Sequence, residues 1–177
     1  MIVYIYDFFD YDKHVRGGNM FQTLMHVSFY VKNMNKMKDF YENVLGAKVK
    51  MAVKYKAYLN QPGSGFYQGA LTKPEDYCIV YFEIAPMQFI EFFPAYEGIE
   101  EHDVPFKHLG YSHFGVITED IHALREELVS KGVHIDTEPK IGNSHTWQMW
   151  ISDPEGNKIE FMQYTPESFQ ITGHIDE

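Results

Sequence analysis

Four residues of this sequence have the types and the spacing of a divalent-metal site. His26 opens the run His26-Val27-Ser28-Phe29-Tyr30-Val31, and Ile90-Glu91-Phe92 follows it; His113 opens His113-Phe114-Gly115-Val116-Ile117, and Ile159-Glu160-Phe161 follows that. Each of the four has apolar neighbours on either side or immediately after it. In a strand, alternate residues share a face, so all four are expected to point away from the side that packs on a core. If the sheets that carry them curve into one concave surface, they converge.

A buried carboxylate without a partner is costly, and two of them close together need a compensating cation. Two imidazoles with two carboxylates suit Ni²⁺, Co²⁺, Fe²⁺, Mn²⁺ or Zn²⁺ better than Ca²⁺, which prefers oxygen alone. Taken singly, a histidine on a strand or an Ile-Glu-Phe triplet is unremarkable. The joint placement carries the expectation. The other seven histidines (His14, His102, His108, His122, His134, His145, His174) have no such placement.

The elements that must position these donors come as a duplication. Residues 24–32 alternate, with Met25, Val27, Phe29 and Val31 on one face and His26, Ser28 and Tyr30 on the other. Asn33 or Asn35 can cap a helix whose apolar positions are Met34, Met37, Phe40, Tyr41, Val44 and Leu45, with Gly46 as its stop. Strands are predicted at about 47–55, 77–84 and 87–93. Residues 60–76, with Pro62, Gly63, Gly65, Gly69 and Pro74, are predicted to form a long loop.

The second half repeats that order: a strand at 111–117, a helix capped by Thr118 or Asp120 with Ile121, Leu124 and Leu128 as its stripe, and Gly132 as its stop. Strands at about 133–137, 145–152 and 157–164 follow, the last two joined by the turn sequence Asp153-Pro154-Glu155-Gly156-Asn157. His26 and His113 are 87 residues apart while Gly46 and Gly132 are 86 apart, a slip of one. Glu91 and Glu160 are 69 apart because the first half carries the long loop. Internal repetition of this kind implies two similar units.

The expected fold class is therefore α+β: two tandem β-α-β-β-β modules, at about 22–95 and 109–165, forming a curved mixed sheet around a metal site. The domain is placed at 21–166, preceded by an arm at 1–20 and followed by a tail at 167–177. Arg16-Gly17-Gly18 just before Met20 leaves two expectations for 1–20: that Met20 is the true start, or that the segment is a genuine arm packing its tyrosines and phenylalanines on the domain or a partner. On the cavity face the pattern places Tyr30, Phe89, Phe93, Gln148 and Trp150 as substrate-binding residues, with Tyr58, Phe66 and Tyr67 in or beside a loop that can serve as a lid.

Composition sets the outer limits. A chain of 177 residues that is 45% hydrophobic and 16% aromatic can bury a substantial core. A net charge of −10 without a Lys/Arg cluster argues against nucleic acid. No run approaches the length of a membrane span. Cys78 is the only cysteine, so the chain has no internal disulfide and no cysteine-based zinc site. A cytoplasmic protein is the expectation.

The same residues carry a resemblance. The chain resembles the vicinal oxygen chelate superfamily, the group that holds glyoxalase I, methylmalonyl-CoA epimerase, fosfomycin-resistance enzymes and extradiol dioxygenases. The resemblance covers about 22–166 and is most specific at His26–Val31, at Asp39-Phe40-Tyr41-Glu42-Asn43-Val44-Leu45-Gly46, and at Asp153–Phe161. Extradiol dioxygenases use two His and one Glu, matching His26, His113 and Glu160, with no carboxylate required at Glu91. Glyoxalase I (lactoylglutathione lyase) is similar at all four positions.

The resemblance thus implies a metal-dependent lyase or isomerase that moves a proton next to a carbonyl through an enediolate. Ni or Co would be the preferred metal, with Zn, Fe or Mn as alternatives. Glu160 would be the base and Glu91 would serve the opposite face. The alternatives it leaves are an Fe(II) dioxygenase and a ligand-sequestering protein of the bleomycin-resistance type. Bacterial glyoxalase I places an Arg where this chain has Tyr30 and an Asn where it has Ala95, which leaves the use of glutathione open. Members are commonly homodimers, in some of which two chains share the ligands.

Overall fold

The computed structural model describes residues 23–100 and 109–175. The arm at 1–20, the proposed start at Met20, and His14, His102 and His108 lie outside the described residues.

Module 1 begins with β1 (His26–Val31), whose burial alternates as the sequence requires, with Phe29 and Val31 buried and His26, Ser28 and Tyr30 open. Helix α1 (Met34–Asp39) follows, capped by the Asn33 side chain, which accepts from the Lys36 N–H. It runs directly into a π turn at Phe40–Val44. A π turn holds one more residue than an α turn. That residue is the slip of one between the two halves, so β1 and Gly46 keep their places on either side of it.

Next come β2 (Lys48–Lys54), a 3₁₀ turn at Tyr55–Tyr58, β3 (Tyr77–Ala85) and β4 (Gln88–Pro94). The predicted loop at 60–76 is not irregular throughout: it contains α2 (Tyr67–Thr72). This short helix has little periodicity of its own. It is held by a small second core in which Ala70 meets Tyr55 and Cys78, with Phe66 and Tyr58 packed alongside. Gly69 is needed there, because a Cβ would lie 2.2 Å from the Tyr55 ring.

Module 2 comprises β5 (His113–Ile117), α3 (Ile121–Ser130), β6 (Ile135–Ile141), β7 (Trp147–Ser152) and β8 (Lys158–Gln163). Asp120 caps α3, accepting from the N–H groups of His122 and Ala123. The Asp153–Asn157 turn forms as its residues demand: the Asp153 carboxylate accepts from the Glu155 and Asn157 N–H groups and from the Asn157 amide, and Gly156 takes φ 86°. The described part of the tail, up to residue 175, carries a helix as well. A short α4 (Phe169–Thr172) docks on the entrance to β7, where the Phe169 N–H donates to Ser144 and the Thr146 hydroxyl to Gln170.

The strands form two four-stranded mixed sheets, ordered β1-β4-β3-β2 and β5-β8-β7-β6. In each, the first and last strands of the module pair in parallel and the others pair antiparallel. The α+β duplication is thus present as expected. One hydrophobic core serves both modules, joining Phe29, Val31, Phe82, Ile90 and Phe92 of the first to Phe114, Met149, Ile151, Ile159 and Phe161 of the second.

Polar ties cross between the modules. The Tyr41 hydroxyl donates to Asp153 at 3.2 Å, the Glu155 carboxylate accepts from the Lys32 and Asn33 N–H groups, and Lys131 donates to the Val44 carbonyl. Burial pushes the Tyr41 phenol well above its ordinary pKa, and the charge of Asp153 adds to the effect.

Candidate metal centre

The core side of each sheet decides where the donors go. Residues that alternate with the shared core must project from the opposite side of their sheet. His26 and Glu91 do so in module 1, and His113 and Glu160 do so in module 2.

The two pairs are built alike. Parallel pairing of β1 with β4 sets Ser28 opposite Glu91, and parallel pairing of β5 with β8 sets Gly115 opposite Glu160. In both modules the histidine therefore lies two residues before the position facing the carboxylate. His26 Nε2 is 3.5 Å from Glu91 Oε2, and His113 Nε2 is 3.3 Å from Glu160 Oε2. Both carboxylates are buried, with Glu91 6% and Glu160 8% exposed.

Two donors at about 2.1 Å from one ion, at tetrahedral or octahedral angles, lie roughly 3.0 to 3.4 Å apart. The His–Glu spacings match one edge of such a shell, and the mixed N/O donor set fits a first-row divalent ion. Each pair by itself supplies only two such groups. Because both face away from the same core, the described residues of one chain gather no group of three or more His, Cys, Asp or Glu donors.

The sequence matches the family described as the Glyoxalase/Bleomycin resistance protein/Dioxygenase superfamily over residues 23–161. The chain belongs to this superfamily. A relative from Arabidopsis thaliana, described as a probable lactoylglutathione lyase of the chloroplast, is 28% identical over 149 residues, covering 82% of this chain and 37% of the relative. The chain thus spans little more than a third of that relative's length.

Among solved structures, a glyoxalase family protein from Enterococcus faecalis aligns with a TM-score of 0.60 at 18% identity, covering 80% of this chain and 98% of that one. Lactoylglutathione lyase from Agrobacterium tumefaciens aligns with a TM-score of 0.55 at 16% identity, covering 82% and 96%. These likenesses establish the glyoxalase fold. No helix among the described residues is long and apolar enough to cross a membrane.

Within this glyoxalase fold, the other expected site residues fall on the donor faces. Phe89 and Phe93 flank Glu91 along β4, and Tyr30 stands opposite Phe93. Trp150 is opposite Glu160 across β7, with its ring 4.6 Å from that of His113, and Gln148 lies two residues from it on the same face. Of the lid residues, Phe66 reaches the site wall, stacking on Phe93 at 6.2 Å, and Tyr58 packs against Phe66. At Ala95 the chain leaves β4, its N–H donating to the Val31 carbonyl.

Two residues that touch Glu91 were not anticipated. The Ser28 hydroxyl donates to Glu91 Oε2. Tyr81, opposite Glu91 across β3, has its phenol pushed up to about 12 by burial, with a hydrogen bond to the Glu91 carboxylate and that group's charge adding to the effect. At neutral pH it is therefore a donor. A signal for Tyr81 existed in the numbering: residues 81 and 91 are equidistant from the β3–β4 turn at Pro86, as 150 and 160 are from the turn at Glu155. In module 2, the Ser112 hydroxyl sits 2.7 Å from Nδ1 of His113, which leaves Nε2 for the site.

Proposed function

We propose that this protein is a divalent-metal-dependent lyase or isomerase of the glyoxalase I type, moving a proton between carbons next to a carbonyl. The observation that carries the reading is the pair of buried carboxylates, each with an imidazole 3.3–3.5 Å away, at register-equivalent positions of two modules. His26, Glu91, His113 and Glu160 are the ligands, and Ni or Co is favoured over Zn, Fe or Mn. When bound, such an ion stabilises negative charge on the substrate's oxygens as a Lewis acid.

The residues divide the remaining work. Glu160 takes the proton from the carbon next to the carbonyl and returns it to the adjacent carbon. Gly115 opposite it offers no hydroxyl to hold its charge. Glu91, fixed by Ser28 and Tyr81, stays in place on the opposite face. An oxygenase would need no carboxylate at 91, so the care taken with Glu91 favours proton transfer.

Four donors require the two half-sites to meet, and the reading places them in a homodimer, module 1 of one chain against module 2 of its partner. β1 and β5, which carry the histidines, are both edge strands and so can approach another chain. The test is complementation. His26→Ala and His113→Ala chains are each expected to lose nickel and turnover of methylglyoxal with a panel of thiols. Mixed after partial unfolding and refolding, they should recover up to half a site per chain, because one of the two sites in a mixed dimer is intact. Full activity of either single variant would sink the metal-centre reading. Inactive variants that never complement would sink the shared site.

A further inference from the structure

The two donor faces differ in one respect that bears on the substrate. In module 1, the His26–Glu91 pair is enclosed by rings on both sides. Phe89 and Tyr81 pack at 6.0 Å on one side, with Tyr81 5.6 Å from the His26 ring. On the other side Phe93 meets Tyr30 at 5.8 Å and Phe66 at 6.2 Å, and Tyr30 meets Tyr96 at 5.3 Å. Tyr30 and Tyr96 remain 56% and 59% exposed, so this platform has an open surface. In module 2, Lys158 and Met162 occupy the positions of Phe89 and Phe93.

Among the described residues, two lysines on these faces are already paired. Lys50 pairs with Glu83 at 2.8 Å, and Lys158 pairs with Asp136 at 2.7 Å. The chain has two arginines, Arg16 and Arg125. Arg125, the one among the described residues, is held by both oxygens of Glu138. A fork that grips a substrate carboxylate in the usual bidentate way is therefore spent elsewhere. Exposed ring faces set beside a reacting centre bind another ring by stacking and by edge-to-face contact.

We propose that the module 1 face receives a planar, uncharged aromatic ring as the non-reacting end of the substrate, on Tyr30, Phe93 and Phe66. This rests on the proton-transfer reading for what happens at the other end, but the ring site can be read out by itself. The probe is 2-naphthol, whose fluorescence is followed on titration with the full chain, with S-methylglutathione as competitor and nickel binding measured on the same samples.

Saturable binding is expected, weakened on the order of tenfold in both Tyr30→Ala and Phe93→Leu, and insensitive to excess S-methylglutathione. Tyr30 is exposed enough that its loss leaves the fold intact, which melting by circular dichroism verifies. The proposal is overturned by non-saturable binding, by equal affinity in folded Tyr30→Ala protein, or by displacement with S-methylglutathione. Tyr30-dependent naphthol binding without nickel binding keeps the ring site and removes the metal-centre reading. Nickel binding without naphthol binding does the reverse.

Discussion

The two modules place the same donors by the same pairing and then surround them differently. Glu91 faces Ser28 and Tyr81, and Glu160 faces Gly115 and Trp150. The first carboxylate receives a serine hydroxyl and a phenol that stays protonated to about pH 12. The second has a glycine where the serine would be and an indole where the phenol would be. Duplication settled where the carboxylates stand; the residues opposite them differ in the hydroxyls they offer. The proposed division of labour follows that difference: Glu91, with two hydroxyl donors, as the permanent ligand, and Glu160 as the group that accepts and releases a proton.

The largest effect that would break this comparison comes from the carboxylates themselves. Glu160→Gln should lower turnover by about 10²–10⁴-fold, the usual worth of a positioned base, while nickel is retained. Glu91→Gln should show first as weaker metal retention. Equal loss of both properties in both variants would erase the proposed division of labour.

A smaller change sharpens it. Gly115→Ser transplants the module 1 hydroxyl into module 2, and there is room, since a Cβ there meets nothing closer than 3.8 Å. One added hydrogen bond to a charged group is expected to slow turnover about tenfold without altering nickel content. Unchanged turnover, measured under saturating metal, would mean that restraint of Glu160 is irrelevant.

The insertion that only module 1 carries is tested through its close contact. Gly69→Ala drives a methyl into the Tyr55 ring, and overpacking of this kind costs about 1–3 kcal/mol, read as a lowered melting temperature. A change near zero would show that the second core yields easily.

The smallest effect concerns the lysine that module 2 alone carries beside its histidine. Burial by itself would raise the Asp136 pKa, but hydrogen bonds from Lys158 and Ser152, with the Lys158 charge, outweigh it and hold the carboxyl below its ordinary value. A carboxyl depressed in the folded state binds fewer protons than in the unfolded chain. Its contribution is therefore present above the ordinary value and is lost as pH falls through the lowered one. Asp136→Asn should lower the melting temperature slightly at neutral pH and reduce its decline between about pH 5 and pH 3.

Much of this was legible in the sequence because strand alternation is a local signal. It marked the faces of β1, β4, β5 and β8, and with them the positions of His26, Glu91, His113 and Glu160. The turn at Asp153–Asn157 was legible for the same reason, since its bonds are made within five residues. What alternation cannot encode is which way two sheets pack. Phe29 approaches Phe114 at 5.9 Å across the modules, and that contact, distant in sequence, turns the two donor pairs away from each other within one chain. Helix α2 escaped notice because its stability lies in Ala70 against Tyr55, among glycines and prolines that read as loop. Ser28 and Tyr81 were visible as residues but not as partners of Glu91, which needs the register between strands.

The π turn at Phe40–Val44 has a consequence for how such a duplicated chain tolerates change. An extra residue inside a regular helix would rotate everything beyond it by roughly 100°. Here the surplus is confined to one widened turn, and Leu45 and Ala47 are tied back to Phe40 and Tyr41 through their backbone N–H groups. The helix behaves as a length buffer: the lengths of the two halves can drift apart while the strands bearing the donors remain in matching frames.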